Sequence, residues 1–160
     1  MPLIPNQAPQ LFVSQWLNTP EPIDLADLRG KVVAIFAFQM LCPGCVTHSL
    51  PQAVKLRDTF PSGDVAVLGL HTVFEHHQAM NPAALHAFVH EYRLRFPIAI
   101  DAPSSDPEQN PIPQTMADWQ LQGTPSLILL NKQGGVHLSH FGSISDLALG
   151  ALIGRLLAQD

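Results

Sequence analysis

The sequence is poor in cysteine, in positive charge and in long apolar stretches. Two cysteines in 160 residues exclude a fold held together by a framework of several disulfides. Eight lysines and arginines against thirteen acidic residues give a net charge of −5, which argues against nucleic acid or an anionic membrane as a partner. No stretch approaches the roughly 20 consecutive apolar residues of a membrane-spanning helix, so no membrane span is expected.

The first residues also lack the features of a secretory signal. Residues 1–7 contain neither a basic segment nor an apolar core. We therefore expect a cytoplasmic protein, or a periplasmic one if a signal has been trimmed from the chain. In the cytoplasm, a lone pair of cysteines favours catalysis or metal binding over a structural disulfide.

Apolar residues are abundant enough for one folded domain over residues 1–160. They make up 46% of the chain, and their runs and spacing predict alternating strands and helices. This alternation predicts an α/β fold with a central mixed sheet flanked by helices. The predicted buried strands are residues 32–38, 65–70, 96–100 and 127–130, and the predicted helices are residues 44–58, 82–92, 115–121 and one capped by Ser145.

Smaller features complete the predicted order. Residues 8–16 predict an edge strand, and residues 131–135 predict a hairpin turn into a returning strand at 136–141. Residues 101–113 carry four prolines and three acids, which predicts a surface loop. Pro51 should kink the helix that contains it, because proline has no N–H to donate.

The two cysteines stand between the first buried strand and the helix that follows it. They are Cys42 and Cys45, and the order strand, dithiol, helix is typical of a thiol–disulfide exchange site. Unpaired N–H groups and the helix dipole stabilise a thiolate at a helix N-terminus. Cys42 occupies that end, and Cys45 lies one turn further in. We therefore expect Cys42 to attack a disulfide and Cys45 to resolve the mixed disulfide.

Three motifs follow one another in an order that is typical of one superfamily. They are residues 27–33 before the first buried strand, Cys42-Pro43-Gly44-Cys45, and Gly123-Thr124-Pro125 before the strand at 126–130. With these motifs the chain resembles the thioredoxin superfamily, in particular its thioredoxin-like thiol–disulfide reductases and its redoxin (AhpC/TSA-like) group. The resemblance implies a thioredoxin fold with an N-terminal extension and a βα insertion near residues 72–92.

The resemblance also implies a function and a set of site residues. The chain is expected to reduce or exchange disulfides of proteins or small molecules, with a further thiol protein as its redox partner. Its redox group is the dithiol itself, with no other cofactor. Substrate-binding positions are Pro43, Gly44, Thr124 and Pro125, with Pro125 in the cis form and the backbone of Thr124 turned toward Cys42.

Three departures from the superfamily's pattern bear on proton transfer and on substrate binding. Leu41 stands where many members have tryptophan before the first cysteine, and Phe36 stands where thioredoxin has a buried aspartate. The reductases often place glutamate three residues after the second cysteine, where this chain has His48. Since histidine changes its charge near physiological pH, His48 is a candidate proton acceptor or thiolate stabiliser. The alternative is a histidine on the helix surface.

The direction of electron flow is not determined by the motif. The two residues between the cysteines, Pro43 and Gly44, carry no charge. No histidine lies between the cysteines to stabilise the thiolate, and this favours a reductase over a strong oxidant.

Two other functions remain open at the level of sequence. A peroxiredoxin-like peroxidase uses the pattern Pro-x3-Thr/Ser-x2-Cys, and aligning its cysteine with Cys45 places Phe38 and Cys42 at the other two positions. A metal-binding module could combine Cys42 and Cys45 with His86 and His90, which are four residues apart. The long separation between the two pairs argues against zinc.

A second group of polar residues follows the second buried strand. His71, Glu75, His76 and His77 come directly after it. Ligands of open α/β sheets bind beyond the carboxyl ends of strands, so this loop is expected to border the dithiol and to shape substrate access. The alternative is a solvated polar loop.

Overall fold

The central element of the fold is a six-stranded mixed sheet, seen in a computed structural model that describes residues 2–160. Its strands, in the spatial order β1-β4-β3-β2-β5-β6, are β1 (Val13–Leu17), β2 (Val32–Phe38), β3 (Val65–His71), β4 (Ile98–Asp101), β5 (Ser126–Leu130) and β6 (Val136–Phe141). Strands β2, β3 and β4 are parallel, and β1, β5 and β6 add antiparallel pairs. The predicted mixed α/β sheet is confirmed.

Helices cover both faces of the sheet. They are α1 (Leu50–Thr59), α2 (Pro82–Glu91), α3 (Gln114–Trp119) and α4 (Asp146–Leu157), with a 3-10 turn at Leu25–Leu28. All seven residues of β2 are buried, because β2 lies in the middle of the sheet. Its side chains alternate between two cores, one shared with α1, α2 and α4 and the other with α3 and the 3-10 turn. Among residues 2–160, no helix has the length and apolar composition needed to cross a membrane.

The helical segment after the dithiol contains a wide turn. Helical residues begin at Pro43, and a π-helical turn at Cys45–Ser49 precedes α1. The N–H of Leu50 donates to the carbonyl of Cys45, five residues back. Pro51 follows at once and has no N–H for the regular helical ladder, and the kink expected there stays a prediction.

The bounds of several predicted elements differ from those in the structure, the edge strand and α2 among them. The edge strand begins at Val13 rather than at residue 8, since the N–H of Phe12 donates to the Thr115 hydroxyl (2.9 Å) instead of to a strand. Tyr92 follows the end of α2 and is 53% exposed, whereas Leu85 and Val89 form the buried stripe.

The composition of residues 101–113 predicted a surface loop, but Asp101 is not part of that loop. It is the last residue of β4 and is buried. Its carboxylate accepts hydrogen bonds from the N–H groups of Thr115 (2.7 Å) and Met116 (3.0 Å) and from the Thr72 hydroxyl (2.9 Å). Burial raises the pKa of this carboxyl, while these hydrogen bonds act in the opposite direction. The carboxylate therefore fixes the start of α3 against the end of β4.

Gly69 in β3 leaves the space that two core rings occupy. A Cβ at this position would lie 3.0 Å from Cγ1 of Ile98 and 3.2 Å from the rings of Phe38 and Phe96. Since these side chains are fully buried, Gly69→Ala is expected to lower the free energy of unfolding by about 1–3 kcal/mol, measured by denaturant titration. The matched control is Gly154→Ala on the open face of α4, which is expected to raise stability by about 0.5–1 kcal/mol. A Gly69→Ala protein as stable as the wild type would contradict the packing argument.

Candidate active site

The dithiol lies where β2 leaves the sheet and the next helical segment begins. Both cysteines are free thiols, Cys42 half-buried and Cys45 fully buried. The N–H of Cys45 donates to Sγ of Cys42 (3.3 Å), and the Cys42 thiol donates to the carbonyl of Thr124 (3.5 Å). The accessible sulfur therefore receives a backbone N–H from the helix start, as the sequence predicted.

The two thiols have different electrostatic surroundings. Burial, followed by the hydrogen bond with Cys42, raises the pKa of the Cys45 thiol to about 12. A backbone hydrogen bond from Gln39 and a contact with Thr124 lower that pKa in part. Because only the thiolate is a good nucleophile, Cys45 is a poor first attacker at neutral pH.

The opposite wall of the site comes from the loop before β5. The Thr124–Pro125 peptide bond is cis, and the Thr124 carbonyl faces Cys42. A Cβ added to Gly44 would lie 3.4 Å from Cδ of Pro125, so the helix start and this loop are in close contact. The structure thus brings together the predicted positions Cys42, Cys45, Gly44, Thr124 and Pro125, with Pro43 exposed beside them.

His48 is half-buried and hydrogen-bonds to the loop before α4. Its Nε2 lies 3.0 Å from the carbonyl oxygen of Ile144, so this nitrogen carries the proton. Gln52 donates to the same carbonyl (2.8 Å) and to Asp146. The position ties His48 to the loop before α4, and its role as a proton acceptor stays a prediction.

The predicted polar loop at residues 71–77 divides into parts with different surroundings. His71 is the last residue of β3, only 1% exposed, and its ring centroid lies 5.0 Å from that of Phe38. Its Nε2 accepts a hydrogen bond from the N–H of Met40 (3.3 Å), and burial lowers its pKa to about 4. His76 is exposed, and His77 contacts the carbonyl of Pro111 (3.1 Å). For His71, the solvated-loop alternative is therefore wrong.

Sequence reasoning missed Gln39, the first residue after β2. It is 1% exposed, its Oε1 accepts from the N–H of Phe74 (3.2 Å), and its Nε2 donates to Glu75 (3.3 Å). The sequence offered one signal for this residue, which is a single amide side chain between the apolar strand and the dithiol. Gln39 joins the segment before Cys42 to the segment after β3.

The histidines of the candidate zinc set are engaged elsewhere. His86 contacts Gln15 (3.1 Å), and His90 lies 3.6 Å from the carboxylate of Glu91, both on the exposed side of α2. Within residues 2–160, no group of three or more His, Cys, Asp or Glu side chains could hold a metal ion. The two cysteines and these two histidines therefore do not form one cluster.

Comparison with known proteins assigns the chain to a family. The model of the AhpC/TSA family matches residues 4–138. The chain belongs to the AhpC/TSA family. Its predicted membership of the redoxin group of the thioredoxin superfamily is thereby confirmed.

Solved and curated relatives of this AhpC/TSA protein extend the comparison. A thioredoxin-like superfamily protein of known crystal structure is 54% identical, with a TM-score of 0.92 over 97% of this chain and 98% of that chain. A thiol-disulfide isomerase from Corynebacterium glutamicum is 44% identical, with the same TM-score and coverage. NHL repeat-containing protein 2 of Bos taurus is 29% identical over 131 residues, which are 80% of this chain and 16% of that protein. The chain thus matches about a sixth of the length of that curated relative.

Proposed function

We propose that this chain is a dithiol–disulfide oxidoreductase in which Cys42 is the nucleophile and Cys45 the resolving thiol. The observation that carries the proposal is the asymmetry of the pair. Cys42 is accessible at a helix start and receives the N–H of Cys45, whereas Cys45 is buried with a raised pKa. The isomerase relative at 44% identity supports the same chemistry.

The reaction proceeds in two exchanges. The Cys42 thiolate attacks one sulfur of a substrate disulfide, and the other sulfur leaves as a thiolate. Cys45 then loses its proton and attacks Sγ of Cys42, which releases the second substrate thiol and forms the Cys42–Cys45 disulfide. The substrate gains two electrons and two protons overall, and a thiol partner of the same chemistry restores the dithiol.

The surface around Cys42 supports an extended peptide as one substrate class. The loop of Thr124 and Pro125 offers backbone groups beside the thiol, as an added strand would require. Leu41, beside the nucleophile, is 59% exposed, and Phe141, which packs beside Gly123, is 52% exposed. We propose protein or small-molecule disulfides as substrates, with the reducing direction favoured by the uncharged Pro43 and Gly44.

No observation favours a peroxidase over this reaction. The alignment with a peroxidase motif makes Cys45 the cysteine that attacks peroxide. That thiol is fully buried, and its pKa is raised to about 12. A thiolate that must meet peroxide needs access and a low pKa, so this geometry does not suit Cys45 to the task.

Limited alkylation and measurements of substrate turnover, both made on the wild-type protein, test the proposal. Iodoacetamide in small excess should modify Cys42 first, with Cys45 unmodified in the same peptide until the protein is denatured. Under saturating dithiothreitol, the reduction of insulin or oxidised glutathione should exceed the turnover of hydrogen peroxide by at least about tenfold. Faster peroxide turnover, or first modification at Cys45, would overturn the assignment.

A further inference from the structure

Residues 39–41 connect β2 to the dithiol, and the backbone of Gln39 contacts that of Cys42. The carbonyl of Gln39 accepts the N–H of Cys42 (3.2 Å). The backbone of the same residue also lowers the pKa of the Cys45 thiol in part, against the larger effect of burial. The position of Gln39 therefore affects where the backbone of Cys42 lies and how readily the Cys45 thiol ionises.

This segment has left the sheet, so its backbone groups need partners from elsewhere. The residue after Gln39, Met40, is only 8% exposed, and a buried N–H without an acceptor is strongly unfavourable. Nε2 of His71 is the acceptor, at 3.3 Å. The Gln39 side chain adds a second attachment through Phe74 and Glu75.

His71 is itself held in place by the sheet. It pairs with Phe38 at the end of the parallel ladder β2–β3, and its ring packs on the ring of Phe38. A backbone N–H can only donate, so His71 must present an unprotonated Nε2. Burial lowers the pKa of His71 to about 4, which keeps the ring neutral at physiological pH.

We propose that His71 is a positioning residue for dithiol–disulfide exchange, which holds Met40 and thereby aligns Cys45 with Cys42. It acts through the segment at residues 39–41, by way of its hydrogen bond to Met40. The inference rests on the proposed function, because it assigns His71 a part in the second of the two exchanges.

A stoichiometric reaction with the aromatic disulfide dithiobis(nitrobenzoate) separates the two exchanges. Attack by Cys42 releases one coloured nitrothiobenzoate and leaves a mixed disulfide. Attack by Cys45 on Sγ of Cys42 then releases the second nitrothiobenzoate, so that the oxidation of one dithiol reduces one reagent disulfide and gives two thiolates and two protons. The rate of the second release reports the alignment of Cys45.

His71→Phe keeps an aromatic ring beside Phe38 but removes the acceptor for the N–H of Met40. We expect the second release to slow by about tenfold and the first by less than about threefold. His71→Gln provides an amide oxygen as acceptor and should restore the second release to within about twofold of the wild type. His90→Gln, at an exposed position of α2, is the control for loss of a histidine.

The outcomes separate the inference from the function on which it rests. An unchanged second release in His71→Phe, or equal slowing in the phenylalanine and glutamine variants, overturns the inference alone. A wild-type protein that releases only one equivalent overturns the role of Cys45 as resolving thiol, and the inference falls with it. If His71→Phe does not fold, His71→Leu removes the same acceptor and is judged by the same comparison with His71→Gln.

Discussion

Replacing Cys42 with serine is expected to abolish disulfide reduction, with a loss of at least about 1,000-fold in kcat/KM. A serine hydroxyl does not ionise at neutral pH, and the remaining thiol of Cys45 is fully buried with a pKa raised to about 12. No second accessible thiol exists to take over, since the chain contains two cysteines in all and Cys45 is buried. The measurement is steady-state reduction of insulin or oxidised glutathione.

Replacing Cys45 with serine is expected to stop the same reaction at a different stage. Cys42 remains accessible and still attacks, but no thiol resolves the product, so a mixed disulfide accumulates on Cys42. Mass spectrometry should find one covalent adduct per chain, which dithiothreitol removes. Turnover by Cys42→Ser, or an adduct on Cys45 in that variant, would reverse the assigned roles.

The parts of the site that are local in sequence could be predicted from it. The apolar run of β2 ends at Phe38, as expected, and the dithiol follows within a few residues at the start of helical structure. Hydrophobic run length and the chemistry of a helix N-terminus are enough for that inference. The Thr124–Pro125 wall lies 82 residues from Cys42 along the chain, and only the resemblance to a superfamily predicted it.

The residues that sequence reasoning missed or misplaced are polar side chains that become buried through distant partners. Periodicity assigns polar residues to the surface, yet Gln39, His71 and Asp101 are each less than 5% exposed. Asp101 meets the start of α3, and His71 meets Met40, 31 residues away in the chain. All three follow or end a strand, where the backbone leaves the ladder and its N–H groups need other acceptors.

The burial of His71 also predicts a pH dependence of stability. Its pKa is 6.5 in an unfolded chain and about 4 in the folded protein, so the unfolded state binds the proton more readily. Above the unfolded value, both states are neutral and His71 contributes nothing to the pH dependence. As the pH falls below that value, protonation stabilises the unfolded state, and the loss of stability becomes constant once the pH is below the folded pKa.

Comparison with His71→Gln isolates this contribution, because glutamine does not titrate and the other ionisable groups are common to both proteins. Between about pH 7.5 and pH 4.5, the wild type is expected to lose about 2.5 kcal/mol more of its unfolding free energy than the glutamine variant loses. Denaturant titrations at the two pH values measure the difference. His90→Gln, which removes an exposed histidine, is the control for the loss of a histidine. Parallel profiles for the wild type and His71→Gln would mean that His71 binds a proton in the folded protein as readily as in the unfolded chain. The claim that a neutral His71 accepts the N–H of Met40 would then be wrong.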